Sequence, residues 1–321
     1  MLKKVSAIVI PTFIAVGIIA IMLARVWDDL ITALENADPV YLVISVFVCI
    51  IAWFVRGYRY RNILDNLGER ITVLLSTACI FISQTANLII PARLGDLVRL
   101  LILKHEKGTN YPTGLSSLVV ERFFDIAVIA LLGAVTVPFI LNIPDWFITV
   151  IYVTLALCAS FVLFLLFSGS FASENRYLSV IIGLLNEVRS ASLRPVSLIY
   201  LGFVSLIIWL LDSLICYVIA LMFNVSIPFL VVVLAIVIGN LVKAVPLTPG
   251  GVGTYEVALA LTFEISGVAP AVATLIAVID HLVKNLVTLG GGIISMYLFG
   301  DWSVKLLKRA FSKGIDKGEV V

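Results

Sequence analysis

The sequence predicts an all-α polytopic integral membrane protein, with six full spans and two re-entrant hairpins arranged as an inverted repeat. Three observations support this prediction. The 321 residues are 61% hydrophobic and only 13% charged, with a mean hydropathy of +1.15, as in a polytopic helical membrane protein. Apolar runs long enough to cross a bilayer recur along the chain. Two further apolar runs are interrupted by proline and glycine, at which a helix must break.

The full spans are apolar runs bounded by polar residues. In chain order they are predicted at Val5–Leu23, Tyr41–Val55, Leu115–Phe139, Trp146–Phe167, Val196–Phe223 and Ala271–Phe299. No small-residue cleavage site follows the first run, so it is interpreted as a retained span and not as a signal peptide. Between Glu174 and Arg189, polar residues share a helical pattern with apolar ones. This predicts a helix along the membrane surface.

The two hairpins are predicted from their breaks. The segment Thr254–Ile265 after the second break would rise only about 18 Å as a helix, roughly half of a hydrocarbon core. The alternative is an ordinary loop between two spans. The predicted break residues are Pro91 and Gly95 in the first hairpin and Pro246, Pro249, Gly250, Gly251 and Gly253 in the second.

The distribution of charge predicts the orientation. Lysine and arginine lie mostly on one predicted side of the spans, whereas the opposite loops are acidic, with Arg25 as their one basic residue. The basic residues share one side of the membrane only if the segment Ile71–Leu103 enters and leaves the membrane on that same side. The positive-inside rule then predicts a multi-pass protein of the cell (cytoplasmic) membrane with both termini cytoplasmic.

The two halves, about 1–142 and 143–300, show the same order of elements and start on opposite sides; a basic cytoplasmic tail, 301–321, follows. Gly95 lies 27 residues before Arg122, and Gly253 lies 27 residues before Asp280. Inverted repeats are typical of transporters, with the site at the interface between the halves.

Charged residues inside the predicted membrane segments are candidate site residues, because each is costly there unless it meets a partner or water. Arginines beside a helix break suit an anionic group such as phosphate. The alternative is a set of ion pairs that hold the broken helices together, and Asp212 requires a partner, for which Lys243 is the candidate. Head-group binding is predicted at Arg93, Asp96, Arg99, Glu121, Arg122 and Asp125, and a second-half polar cluster or gate at Asn240, Lys243, Glu256, Asp280, Lys284 and Asp212.

Other sites and partners receive no support from the sequence. The four cysteines lie in apolar runs without metal-ligand spacing, so no metal site is predicted. No nucleotide-binding motif is present, and no cofactor or nucleic-acid partner is expected. His281, in an apolar helix, is interpreted as a packed, hydrogen-bonded residue; the alternative is a proton relay.

Three motifs in order carry a family resemblance. They are Pro91-x-Arg93-x-Gly95-Asp96-x-x-Arg99, then Glu121-Arg122-x-x-Asp125, then Pro246-x-x-Pro249-Gly250-Gly251-x-Gly253-x-x-Glu256. The series resembles the flippase-like transmembrane family, which includes the membrane half of lysylphosphatidylglycerol synthase. That family often has glutamate where this chain has Asp96. The resemblance implies translocation of an anionic phospholipid or polyprenyl-phosphate-linked lipid between leaflets.

The soluble domain of the synthase is not found in this chain, so an enzymatic activity is not expected. Two alternatives stay open. The chain could be a lipid-modifying or glycosyl-transferring enzyme, although its sequence contains no Asp-x-Asp metal motif. It could also be an accessory subunit of a separate enzyme of that kind. A homo-oligomer is also open. Membrane lipid is the expected partner in every case.

Overall fold

A computed structural model describes residues 2–139, 145–167, 176–245 and 248–299. All regular secondary structure in these ranges is helical, as predicted. Pro246, Leu247 and the predicted tail, 301–321, lie outside the described residues. The helices are α1 (Leu2–Arg25), α2 (Trp27–Glu35), α3 (Val40–Asn66), α4 (Val73–Ile89), α5 (Leu97–Lys107), α6 (Tyr111–Thr136), α7 (Asp145–Phe167), α8 (Arg176–Ser192), α9 (Pro195–Met222), α10 (Phe229–Ala244), α11 (Thr254–Ile265) and α12 (Pro270–Phe299).

Four of the described helices, α3, α7, α9 and α12, are long and apolar enough to cross a membrane. Helices α1 and α6 have 24 and 26 residues, and a helix of that length rises about 36 to 39 Å. Helix α6 is not among these four helices, because Glu121, Arg122 and Asp125 interrupt its apolar sequence. The described helices thus include four clear candidates among the six predicted spans.

The predicted end of the second span is wrong. The sequence predicts an end at Val55, where arginines begin, but α3 continues to Asn66. Arg56 and Arg59 therefore lie within the helix instead of flanking it. The helix can continue because buried carboxylates from α6 and α9 pair with these two arginines. The short helix α2, in the loop after α1, was also not predicted.

The largest apolar cluster joins α3, α9, α10, α11 and α12 around small residues such as Ala52, Cys216 and Ala277. Beyond that cluster, α4 packs against α12, and α10 packs against α6. The two interrupted helices are thereby brought to the middle of the protein. The polar side chains that they carry are enclosed by the longer helices.

Both predicted breaks are present in the structure. Helix α4 ends at Ile89 and a 3₁₀ turn over Pro91–Asp96 leads into α5. Helix α10 ends at Ala244, and a second 3₁₀ turn over Pro249–Gly251 precedes α11. The two turns contact each other. With 11 and 12 residues, α5 and α11 each rise only about 16 to 18 Å.

Glycine is required at two of these positions for different reasons. Gly251 has a φ of +77°, and a Cβ there would lie 2.6 Å from Cγ of Lys243. Gly95 has an ordinary φ, but a Cβ there would lie 2.6 Å from the backbone nitrogen of Asn87. The first position needs a left-handed backbone and the second needs a close approach between the turn and α4.

We expect Gly251→Val to destabilise the protein by at least about 2 kcal/mol, because a β-branched residue is strained at positive φ. Gly202→Val in α9 is the matched control, since a Cβ at Gly202 would meet nothing within 4 Å. Thermal unfolding in detergent measures the difference. Equal unfolding temperatures for the two variants would contradict the expectation.

Candidate functional site

A cavity of about 170 Å³ lies where the two breaks meet. It is lined by residues of α3, α4, α6, α9, α10, α11 and α12 and by the turn at Pro249–Gly251. At 10–15 Å³ of this volume for each water, it has space for about ten water molecules or a small polar group. Both halves of the chain contribute to its wall.

Among the predicted head-group residues whose side chains the structure describes, Arg122 is the most exposed, and it lines this cavity. Its side chain is 30% exposed, and its guanidinium lies 3.5 Å from Asp96, 3.4 Å from Glu121 and 3.4 Å from Asp125. These distances are longer than those of well-formed charge-assisted hydrogen bonds. Arg122 is therefore surrounded by acids but held closely by none of them.

Asp96 is positioned by the amides of α4. Nδ2 of Asn87 donates to Oδ1 of Asp96 at 2.9 Å, and Nε2 of Gln84 donates to the same oxygen at 3.2 Å. The other carboxylate oxygen of Asp96 is the one that faces Arg122. Gln84 and Asn87, which precede the first break, thus fix the orientation of Asp96 within it.

Arg99 lies behind the cavity wall. Its side chain is 0% exposed, forms an ion pair with Glu121, and donates from Nε to Oγ of Ser83 at 2.7 Å. Its guanidinium also lies 4.9 Å from the ring centroid of Tyr60. Arg99 therefore joins α5 to α6. The side chain of Arg93, the third arginine predicted for this site, lies outside the described part of the structure.

Two arginines that were not predicted for the site lie in it. Nη1 of Arg59 donates to Asp125 at 2.6 Å and to Ser205 at 2.8 Å. Nη2 of Arg56 lies 2.5 Å from Asp212. The prediction that Lys243 is the partner of Asp212 is wrong, because Asp212 forms its ion pair with Arg56. The two arginines are spaced i, i+3 and therefore lie on one face of α3. This spacing could have identified them as site residues from the sequence.

In the second half, Asp280 and Lys284 form an ion pair across one turn of α12, with Nζ to Oδ1 at 2.8 Å. The hydroxyl of Tyr255, on α11, donates to the other oxygen of Asp280 at 2.8 Å. Tyr255 lines the cavity and was not predicted as a site residue. It connects the half-length helix after the second break to the charged turn of α12.

Glu256, His281 and Lys243 form a second chain of polar contacts. Glu256 accepts from the backbone N–H of Gly253 at 2.7 Å and thereby caps the first turn of α11. Its other oxygen lies 2.8 Å from Nδ1 of His281, whose Nε2 lies 3.1 Å from Nζ of Lys243. An ammonium group only donates, so this network assigns the proton of a neutral His281 to Nδ1. His281 is thus buried and hydrogen-bonded.

The charged side chains that line the cavity are predominantly cationic. Among the side chains that the structure describes, five cations and three carboxylates line the cavity, together with the neutral amides of Gln84, Asn87, Asn240 and Asn285. The cations are Arg56, Arg59, Arg122, Lys243 and Lys284, and the carboxylates are Glu121, Asp125 and Asp212. A group with negative charge and several hydrogen-bonding oxygens fits such a wall.

Comparisons with known proteins agree on one family. Residues 8–292 match the sequence model described as the lysylphosphatidylglycerol synthase TM region. The chain is 33% identical to the glycosyltransferase AglD of Haloferax volcanii, across 84% of this chain and 50% of AglD. It is 26% identical to a UPF0104 membrane protein of Methanothermobacter thermautotrophicus, across 90% of this chain and 93% of that protein. The match thus spans about half the length of AglD and almost all of the UPF0104 relative.

Proposed function

Because the chain belongs to the family of the lysylphosphatidylglycerol synthase transmembrane region and is a multi-pass membrane protein, we propose that it translocates a lipid between leaflets. The lipid is an anionic phospholipid or a polyprenyl-phosphate-linked lipid. The observation that carries the proposal is the cavity between the two helix breaks, in which Arg122 is half-buried and loosely held.

In this proposal, Arg122 exchanges its acidic neighbours for the lipid phosphate. Its fork of donors suits a phosphate, which would offer shorter bonds than the 3.4 to 3.5 Å contacts to the three acids. When the lipid leaves, Asp96, Glu121 and Asp125 neutralise Arg122 again. Arg99 acts by holding Glu121 and the first hairpin in position, and the acyl or prenyl chain stays in the bilayer.

The inverted repeat forms part of the proposal and is supported by reciprocal packing. Helix α4 of the first hairpin packs against α12, the last helix of the second half. Helix α10 of the second hairpin packs against α6, the last helix of the first half. A pseudo-two-fold axis between halves 1–142 and 143–300 would relate these two contacts. In this arrangement the chain has six full spans, and its two hairpins enter from opposite leaflets and meet at one cavity.

A second candidate function is supported by the similarity to AglD, which is named a glycosyltransferase. In this alternative the chain modifies a lipid or serves as the accessory membrane subunit of a separate transferase. Glycosyl transfer to lipid by the purified chain would favour an enzyme, and a transferase that co-purifies with it would favour an accessory role.

The main proposal is tested with purified protein in liposomes that contain fluorescent phosphatidylglycerol. A membrane-impermeant quencher reports the fraction of label in the outer leaflet. We expect the protein to raise the quenchable fraction from about half, as in protein-free vesicles, towards completion. If the purified protein leaves the fraction at the level of protein-free vesicles, translocation of this phospholipid is refuted.

The orientation gives a separate prediction. We expect both termini on the cytoplasmic side and both breaks within the membrane. In a variant without the native cysteines, cysteine at Ala92 or Val252 should resist a bulky, membrane-impermeant reagent added from outside. Cysteine at Asp38, in the predicted outer loop, is the positive control. Rapid external labelling at Val252 would instead indicate an ordinary loop there.

A further inference from the structure

We infer that an anionic head group binds in the cavity together with one proton, and that His281 accepts this proton. The inference rests on the proposed function and names the ion that accompanies the lipid at the same site. It is drawn from the chain of polar contacts that runs from Glu256 through His281 to Lys243, beside the second helix break.

His281 is held between an acidic and a basic side chain, and its own side chain is only 2% exposed. Nδ1 lies 2.8 Å from a carboxylate oxygen of Glu256, and Nε2 lies 3.1 Å from Nζ of Lys243. Since an ammonium group can only donate, Nε2 accepts this bond and carries no proton. Nε2 is therefore the atom at which His281 can take up a further proton.

Lys243 and a proton compete for the lone pair of Nε2. When a proton adds to Nε2, the imidazolium has no acceptor left for the ammonium group. The two groups then carry like charges at 3.1 Å, and such a pair repels strongly inside a protein, where screening is weak. A protonated His281 thus requires Lys243 to leave, and Lys243 needs an acceptor to which it can turn.

The cavity offers that acceptor once a ligand occupies it. Lys243 lines the cavity and is half-buried, and its ammonium group lies 5.4 Å from the ring centroid of Tyr255. A phosphate oxygen in the cavity can accept a charge-assisted hydrogen bond from Lys243. Because Lys243 releases Nε2 when it forms this bond, the ligand favours the proton on His281. By reciprocal linkage, the proton favours the ligand.

Glu256 stabilises the charged form of His281. Its side chain is 5% exposed, and one of its oxygens accepts from the backbone N–H of Gly253. Within the described residues, His281 is the basic side chain in ion-pair range of the other oxygen. A proton from water that adds to Nε2 converts this hydrogen bond into a buried ion pair, and no covalent bond breaks. A phosphodiester brings one negative charge and the proton one positive charge, so the cavity gains no net charge.

The other charges around His281 already have partners. On α12 itself, Asp280 pairs with Lys284 and also accepts from Tyr255 of α11. Asp212 of α9 pairs with Arg56 of α3. Further titratable groups on the helices packed against α12 include the buried thiols of Cys49, Cys79 and Cys216 on α3, α4 and α9 and the exposed acids Asp28, Asp29 and Glu35 on α2. Glu256 and Lys243 are therefore the ionisable groups that contact the ring nitrogens of His281.

Proton uptake on binding tests the inference directly. Dihexanoyl phosphatidylglycerol is titrated by calorimetry into the purified protein in two buffers whose ionisation enthalpies differ, and the difference in heat gives the number of protons taken up. We expect about one proton for each bound lipid within the range in which histidine titrates. Because the bound state holds the additional proton, affinity should rise roughly tenfold as the pH falls from about 8 to about 6.

The two histidines of the chain supply the variant and its control. In His281→Gln, the side chain can still form hydrogen bonds but takes up no proton. We expect this variant to bind without proton uptake, with an affinity that changes less than about twofold over the same pH range. His105→Gln removes the exposed second histidine, on α5, and should retain both the proton uptake and the pH dependence.

Binding of phosphatidylglycerol without proton uptake by the unmodified protein would overturn the inference and leave translocation intact. Undiminished uptake by His281→Gln, or loss of uptake in His105→Gln, would also overturn it, because the proton would then reside elsewhere. If His281→Gln does not fold, uptake that persists in His105→Gln supports His281, since the chain has two histidines. Failure of the proposed function is seen separately, as the absence of phosphatidylglycerol movement in liposomes, and it leaves proton uptake on binding measurable in detergent.

Discussion

Replacing Arg99 with alanine is expected to destabilise the protein by about 3–5 kcal/mol, because the change leaves the carboxylate of Glu121 buried without its closest cation. The side chains of Arg99 and Glu121 are 0% and 5% exposed. Water therefore cannot replace the lost guanidinium. The loss is measured as a lower thermal unfolding temperature in detergent, or as failure to elute as a single species.

Two further variants make this prediction specific. Arg61→Ala is the control, since Arg61 is 39% exposed and pairs with Asp65 at 3.4 Å, a surface pair worth at most about 1 kcal/mol. The double variant Arg99→Met with Glu121→Leu removes both charges and should recover most of the stability. If Arg99→Ala unfolds at the same temperature as Arg61→Ala, this ion pair does not hold α5 to α6.

Arg122→Ala is expected to have the opposite signature, with a large loss of lipid binding and a small loss of stability. A charge-assisted hydrogen bond to a phosphate contributes about 1.5–3 kcal/mol, so binding and transport should fall roughly 10- to 150-fold. Stability should fall less than in Arg99→Ala, because each acid near Arg122 keeps another partner. Glu121 keeps Arg99, Asp125 keeps Arg59, and Asp96 keeps the amides of α4. Transport and unfolding temperature are compared at matched expression.

Arg122→Lys separates charge from geometry. Lysine keeps the charge but loses the planar fork of donors, so it should restore only part of the activity that alanine removes. Arg61→Lys, outside the cavity, controls for a general effect of the substitution. Normal binding and transport by Arg122→Ala would show that Arg122 is structural and that the proposed site is wrong.

The helix breaks were predictable because their causes are local. Proline removes a backbone donor and glycine permits positive φ, so a motif such as Pro249–Gly253 interrupts a helix whatever surrounds it. The bounds of α11, Thr254–Ile265, agree with the segment whose short length first indicated a hairpin. Likewise, the spacing of Asp280 and Lys284, one helical turn apart, is typical of an ion pair, and the structure contains that pair.

The long-range part of the site was less predictable. Arg56 and Arg59 look like the charged end of a span when α3 is considered alone. Their place inside the protein depends on Asp212 and Asp125, which are 156 and 66 residues away. Tyr255 gave no signal either, because an aromatic residue in an apolar helix usually fills a core. Its hydrogen bond to Asp280 follows from tertiary packing.

The packing of α4 against α12 has a consequence for synthesis of the chain. The hydroxyl of Thr85 donates to the carbonyl of Thr288 at 3.0 Å, across 203 residues of sequence. At about 5–20 residues per second, the ribosome needs roughly 10–40 s to supply that partner. During this interval Phe81 and Thr85 of α4 lack the helix that packs against them. Nascent chains arrested before α12 should therefore be markedly more sensitive to membrane proteases than completed ones.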